Sequence, residues 1–305
     1  MKHNKGLDQF FTKSDVASIC YNVARKTLAN TVDLDRIQFL EPSAGSGSFY
    51  DVLPKGYITF RAKKYRRRLG YDIDPKKWYI KQKDFLLEPI EKELLLPSEN
   101  IIVIGNPPFG KRSRLAVAFF NKAGEYSNTI SFIVPLQFRK WSVQSKLDTS
   151  FRLIRESCLD KNSFVFNGKD YSVRTVFQVW TRLKTKHKNL RILTKPAVVH
   201  TDFDMWQYNN TDATVKYFDK NKYNWDFAVV RQGFYNYREL IIKPENMSLK
   251  KQWIFFRAGN KKTLTRLKKL DFEKLASKNT SIPGFGKADV VEEYSRIYGE
   301  GEVLF

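Results

Sequence analysis

Cysteine, histidine and long apolar runs are all scarce in this chain. Its two cysteines, Cys20 and Cys158, lie far apart in 305 residues. They give neither a disulfide framework nor a metal-ligand spacing, which suits a reducing, cytoplasmic compartment. The three histidines are scattered, so no zinc site and no other bound metal is expected. No stretch approaches the about 18 consecutive apolar residues of a membrane span. The opening MKHNKGLDQFFTK has no apolar core, so no secretory signal is expected there. Acidic residues are also short: 32 Asp+Glu face 54 Lys+Arg, a formal net charge of +22. Such an excess favours a polyanionic partner, nucleic acid ahead of an anionic membrane.

What is present reads as globular. Hydrophobic residues make up 42% and charged residues 28%, and the length suits one large domain or two ordinary ones. Ser14 is placed as an N-cap, and Val16, Ile19, Cys20, Val23 and Leu28 recur at helical spacing, which predicts a helix over 15–29. Short apolar segments at Ile37–Leu40, Arg67–Ile73, Ile101–Ile104 and Thr129–Val134 read as strands. Leu115–Ala123 reads as a helix and Tyr171–Trp180 as one further strand after a polar NGKD turn. Strands alternating with helices predict an α/β fold with a mostly parallel sheet through about residue 180. From residue 184 the texture changes to a basic, linker-like stretch and then to aromatics mixed with lysines. The expected division is 1–183 as one domain and 184–305 as a smaller, β-leaning one.

Three unusual segments fall at predicted strand ends, where parallel sheets bind ligands. In EPSAGSGSF, Gly45 and Gly47 permit a tight turn and close ligand approach. Asp72, about 25 residues later, is placed to take ribose hydroxyls. Tyr50 stands where a dinucleotide fingerprint has its third glycine, and Glu41 before the turn would repel a phosphate. Both features favour a nucleoside ligand without a pyrophosphate. In NPPF, Pro107 and Pro108 fix φ and lack N–H groups, while Asn106 is held extended before them. The segment therefore offers two acceptors, the Asn106 side-chain oxygen and the Pro107 carbonyl, beside the aromatic face of Phe109. Two acceptors and a ring suit a planar base that carries an exocyclic amine.

These motifs resemble those of the amino-methyltransferases, above all the N6-adenine DNA methyltransferases with gamma-type motif order. NPPF is similar to their catalytic motif and EPSAGSGSF to their glycine-rich motif. DQFFTK (Asp8 to Lys13), DIDP (Asp72 to Pro75), KDF (Lys83 to Phe85) and FNGKDYSVRTVFQVW are similar to four further family motifs. The resemblance covers about residues 7–182. It implies a Rossmann-like class I methyltransferase domain of seven strands with an antiparallel strand inserted. S-adenosyl-L-methionine is the implied cofactor, contacted by Phe10, Thr12, Glu41, Ser43, Gly45, Gly47, Asp72, Asp84, Phe85 and Asn106. The implied catalytic and base contacts are Asn106, Pro107, Pro108, Phe109 and an aromatic, Phe166 first and Tyr171 second.

Lys111, Arg112 and Arg114, just past NPPF, are placed for phosphates flanking a flipped base. Arg139 and Lys140 follow a strand end at the same edge. RAKKYRRR (Arg61 to Arg68) reads equally as a phosphate contact or a solvated face. The resulting expectation is methylation of adenine N6 in DNA, within a restriction-modification system or alone. The alternatives are the same chemistry on structured RNA and an inactive nucleic-acid-binding module.

Overall fold

The computed structural model describes residues 10–91, 93–94, 96–278 and 282–299. Asp8 and Gln9 of DQFFTK lie outside the described residues. The chain divides into two compact units, one ending at Leu193 and one beginning at Thr194.

The elements of the first unit, in chain order, begin with β1 (Phe11–Thr12), α1 (Ser14–Leu28), β2 (Gln38–Glu41) and α2 (Ser48–Val52). Next come β3 (Tyr57–Phe60), β4 (Lys63–Arg66), β5 (Arg68–Asp72), β6 (Lys81–Gln82), β7 (Ile101–Gly105) and α3 (Arg114–Tyr126). The unit closes with β8 (Thr129–Pro135), α4 (Trp141–Gln144), β9 (Arg152–Cys158), β10 (Phe164–Phe166), β11 (Lys169–Tyr171) and β12 (Thr175–Thr181).

Uninterrupted apolar runs build the centre of the sheet. β7 and β8 are buried at every position, as strands covered on both faces must be. The seven strands order as β6-β5-β2-β7-β8-β12-β9. Pairings from β6 through β8 are parallel, and β12 runs antiparallel between β8 and β9. The mostly parallel α/β sheet expected from the sequence is therefore observed, inserted antiparallel strand included. The parallel strands all end toward one edge, so the loops after β2, β5 and β7 converge there.

Several local expectations are corrected. Ser14 is the first helical residue of α1 rather than its cap; Lys13 occupies the cap position and makes no side-chain capping bond. The segment Tyr171–Trp180 is not one strand. Asn167 and Gly168 take left-handed conformations (φ 48° and 75°) that close the tight hairpin β10–β11. The chain then turns before β12. That hairpin pairs with β1 in a separate three-stranded sheet.

The basic stretch after residue 183 is not a free linker. Arg191 is only 9% exposed. Its guanidinium donates to the carbonyls of Asp148 (2.7 Å), Phe151 (2.8 Å), Gln144 (2.7 Å) and Leu147 (2.9 Å). Leu190 N–H donates to the Leu153 carbonyl (2.7 Å). The planar fork satisfies four carbonyls at once, which ties 184–193 to the first unit and moves the boundary beyond 183.

The second unit holds β13 (Phe203–Tyr208), α5 (Asp212–Val215), α6 (Lys220–Tyr223), β14 (Phe227–Gln232), β15 (Gln252–Ala258), α7 (Lys261–Lys268), α8 (Phe272–Lys278) and α9 (Lys287–Tyr298). Its antiparallel sheet has the order β13-β15-β14. Its core is aromatic, with Trp225, Phe227, Phe255, Phe256, Phe272 and Tyr294 buried together. The β-leaning expectation is corrected as well, because α7, α8 and α9 contribute to that core. No helix of the described residues is long and apolar enough to cross a membrane.

Replacing Arg191 with alanine leaves four carbonyls short of a donor. The expected loss is about 2–4 kcal/mol in urea unfolding of the whole chain, with Arg191→Lys recovering only part of it.

Candidate active site

The glycine turn after β2 is held from outside. Gly45 and Gly47 adopt left-handed conformations (φ 48° and 85°), which residues with a Cβ rarely take. A Cβ on Gly45 would lie 2.9 Å from the Phe11 ring. The Gly45 N–H donates to Asp72 Oδ2 (2.7 Å), and the Asp74 N–H donates to Asp72 Oδ1 (2.8 Å). One carboxylate thus clamps the turn after β2 to the loop after β5. Each carboxylate oxygen retains a lone pair for a ligand hydroxyl.

β7 delivers Asn106, Pro107 and Pro108 to the same edge. The Ser43 hydroxyl donates to the Asn106 backbone carbonyl (3.2 Å), joining the asparagine loop to the glycine turn. Asn106 Oδ1 is buried and has no hydrogen-bond partner among the described residues. A buried acceptor left unpaired costs about 1–3 kcal/mol unless a ligand supplies the donor.

Between these loops lies a cavity of about 230 Å³. Of the residues named from the sequence, Phe10, Ser43, Gly45, Asp72, Asp84, Phe85, Asn106, Pro107 and Pro108 line it. Thr12, Glu41, Gly47 and Phe109 do not. Glu41 sits behind the turn, 2% exposed, and accepts the Tyr50 N–H (2.7 Å). Burial, with a smaller push from Asp72 and Asp51, raises its carboxyl well above the usual range. Glu41 is therefore a prop for the turn, and the charge repulsion expected of it is weakened. Thr12 is buried, and its carbonyl accepts the Ser48 hydroxyl (2.5 Å).

The aromatic candidates form one chain of rings. Phe109 is only 7% exposed because the edge of Phe10 covers it at 5.2 Å between centroids. Phe10 in turn stacks on Tyr171 (5.3 Å) and meets Phe164 edge-on (4.9 Å). Tyr171 touches Phe166 (5.7 Å). Phe10, expected to face the cofactor, thus also packs on the ring expected to face the base.

Phe11, Lys83 and Phe119 line the cavity as well and were not assigned to the site from the sequence. Phe11 had a signal, since it adjoins Phe10 in an aromatic pair. Lys83 adjoined a named motif residue. It is fixed by Glu93 Oε1 (3.0 Å) and the Pro89 carbonyl (2.8 Å). Burial opposes ionisation of Glu93, yet hydrogen bonds from Lys81, Lys83 and Tyr71 hold its carboxyl down to about 2. Phe119 comes from α3 and had no local signal.

Lys111, Arg112 and Arg114 are exposed in the loop and helix start that follow NPPF. Lys140 is half-buried at the cap of α4. Arg139 is committed elsewhere. It pairs with Glu156 (2.8 Å) and donates to Cys158 Sγ (3.0 Å).

No family model matches the chain, and no curated protein matches it. Solved structures do. The type IIL restriction-modification enzyme MmeI, determined in complex with DNA, is 10% identical at a TM-score of 0.50. The match covers 90% of this chain and 64% of that one, so the chain spans less than two thirds of the MmeI chain it matches. A Listeria monocytogenes protein described as a candidate class I S-adenosylmethionine-dependent methyltransferase is 16% identical (59% and 64% covered, TM-score 0.39). The 23S rRNA methyltransferase ErmE is also 16% identical (57% and 70% covered, TM-score 0.36). What these likenesses show is the fold alone: the chain shares the fold of the part of MmeI that it matches.

Gly45→Ala tests the turn. Its left-handed backbone costs about 1–2 kcal/mol with a Cβ, and the new methyl meets Phe11. For S-adenosylmethionine, the cofactor that the sequence resemblance implies, we expect the calorimetric affinity to weaken by at least about tenfold. A Gly56→Ala control, which carries a comparable left-handed backbone cost (φ 92°) but lies outside the cavity lining and has open space around its Cβ, should bind as the parent does.

Proposed function

We propose that the chain methylates the exocyclic amine of a planar base, with S-adenosylmethionine as methyl donor and the N6 of a flipped adenine in DNA as acceptor. The observation that carries this reading is the buried, unpartnered Asn106 Oδ1 in the wall of a cavity that also holds the Gly45 turn. An acceptor kept dry and unpaired is suited to an N–H that arrives with a substrate.

The cavity's residues fit the donor. The Gly45 turn presents backbone without a side chain to the cavity, Asp72 keeps acceptor capacity for ribose hydroxyls, and Phe85 with Asp84 offers a ring and a carboxylate for the adenine end. When bound, S-adenosylmethionine supplies an electrophilic methyl group.

The chain's own residues act on the amine. Its nitrogen is a poor nucleophile because the lone pair is delocalised into the ring. Asn106 Oδ1 and the Pro107 carbonyl accept its two hydrogens and favour a pyramidal nitrogen, which frees the lone pair. Pro107 and Pro108 keep both acceptors rigid, so little reorganisation accompanies the reaction. Phe109 supplies a stacking face, a contact worth about 1–3 kcal/mol for an unpaired base. Phe10 lies against that face, so base entry displaces the Phe10 ring. Phe166 and Tyr171 extend the aromatic surface outward. Both are exposed, at 42% and 41%, and we assign them to the flipped base or its neighbours.

Lys111, Arg112, Arg114 and Lys140 are assigned to the flanking phosphates. Arg139 is not, because Glu156 holds it. The unit from Thr194 is assigned to target recognition. Its surface sets an exposed Phe234 near Tyr235, whose ring lies 4.6 Å from Lys251 Nζ.

Purified protein incubated with methyl-labelled cofactor and an adenine-containing duplex should incorporate label. Asn106→Ala should lower incorporation by about 100-fold or more while cofactor binding changes only a few-fold. No incorporation by the parent, or equal incorporation by the variant, sinks the reading. Digestion of the product to nucleosides assigns the amine, and competition with structured RNA assigns the polymer.

A further inference from the structure

The parallel strands carry the candidate site at their carboxyl ends, and their opposite edge is strongly basic. The β3–β4 hairpin stands at that edge. It leads straight into the start of β5, and Arg68 pairs in register with Phe39 near the start of β2. β3 packs on the turn Leu34–Arg36 that precedes β2. The segment after β12 leaves the sheet at the same edge, because Thr181 pairs with Thr129 at the start of β8. It folds back onto the end of α1, where the His187 ring nitrogen meets the Thr27 carbonyl (2.9 Å) and the Thr185 and Thr31 hydroxyls meet at 3.3 Å.

The hairpin is anchored rather than loose. Ile58 is buried in the core of the first unit. Arg67 donates to the Leu34 carbonyl (2.9 Å), Arg68 to the Tyr50 and Leu53 carbonyls, and the Gln38 side chain to the Arg66 carbonyl (2.8 Å). These two arginines have structural duties. Lys63, Lys64 and Arg66 do not, and Arg61 does no more than lie over the adjacent Phe60 ring (5.4 Å): all four are exposed, and none forms an ion pair with a described residue. The nearby acids Asp33 and Asp35 are engaged by Arg36 and Arg67.

Side chains alternate along a strand, so with Ile58 inward the outer face carries Tyr57, Thr59, Lys64 and Arg66. The registers Tyr57↔Arg66 and Thr59↔Lys64 set hydroxyl donors directly opposite cations. Lys64 and Arg66, two residues apart on one face, are spaced by about 6.6 Å. The turn holds Arg61 and Ala62 in left-handed conformations (φ 49° and 62°), where Asn-Gly is the usual choice. A cation therefore occupies the tip at a conformational cost. On the adjoining segment Lys184, Lys186 and Lys188 are also exposed.

We propose that this edge is a second nucleic-acid contact, which grips the phosphate backbone of duplex nucleic acid without regard to sequence. It lies away from the cavity by at least the length of the parallel strands, about 15 Å for the five residues of β5. Cations mixed with hydroxyl donors suit phosphates. The proposal is independent of the reaction above: a chain that bound duplex but methylated nothing would still show it.

The test is fluorescence anisotropy of a labelled 30-base-pair duplex across a salt series. Two variants of the full chain are compared with the parent. One combines Lys63→Ala, Lys64→Ala and Arg66→Ala; the other combines Lys184→Ala, Lys186→Ala and Lys188→Ala. Both should bind on the order of ten- to a hundredfold more weakly at 0.1 M salt, and the slope of log K against log salt should shrink by about 2–3. The second variant lies outside the hairpin, so the test stands even if the first fails to fold. An unchanged affinity and slope in either folded variant overturns the proposal, as does a parent that binds no duplex. Vesicles containing phosphatidylserine form a separate arm. Variants that lose vesicle binding but keep duplex binding overturn it in favour of a membrane surface.

Discussion

The Asp72 carboxylate is the constraint on which the site depends. Its two oxygens accept the N–H groups of Gly45 and Asp74, so it fixes the turn after β2 and the loop after β5 with respect to each other. The Asn106 loop joins through the Ser43 hydroxyl. Three loops from three separate strands thereby become one wall. The parallel sheet makes this possible, since it brings all three carboxyl ends to one edge. Left-handed glycines make it sterically feasible, since Phe11 occupies the space a side chain on Gly45 would need.

The site has an uneven polarity that follows from this wall. Its asparagine oxygen is buried and has no partner among the described residues, whereas several charged groups around it are offset. Glu93 holds Lys83, Glu156 holds Arg139, and burial disfavours the charged form of Glu41. The wall thus sets one neutral acceptor beside a proline carbonyl, with the Asp72 and Asp84 carboxylates lining the same cavity. The aromatic chain from Phe109 through Phe10 to Tyr171 and Phe166 continues the same surface from the interior to solvent.

Charge is distributed differently. Exposed cations occur just past NPPF, close to the cavity, and again on the opposite sheet edge. Between the two edges β7 and β8 are buried at every position, so the basic excess cannot be spread through the interior. It is driven to the loops and to the β3–β4 hairpin, which stands where α2 stops after Val52 and Gly56 turns the chain with a left-handed conformation (φ 92°).

Local pattern alone determined a large part of this protein. Continuous apolar runs located the central strands, because a strand buried on both faces has no polar position to offer. The glycines after β2 and the prolines after β7 marked the ligand edge, because each restricts its own backbone whatever surrounds it. Tertiary structure decided the rest, for reasons that no local window contains. Glu41 faces the core because Gly105 of the neighbouring strand lets it pack there. Arg139 is spent on Glu156, which only the β9–β12 pairing brings near. Phe10 lies on Phe109 because β1 pairs with β10. The stretch after residue 183 looked like a linker in sequence, yet four carbonyls from residues 144–151 capture Arg191. Two basic segments more than a hundred residues apart share one edge only because the sheet's strand order puts them there.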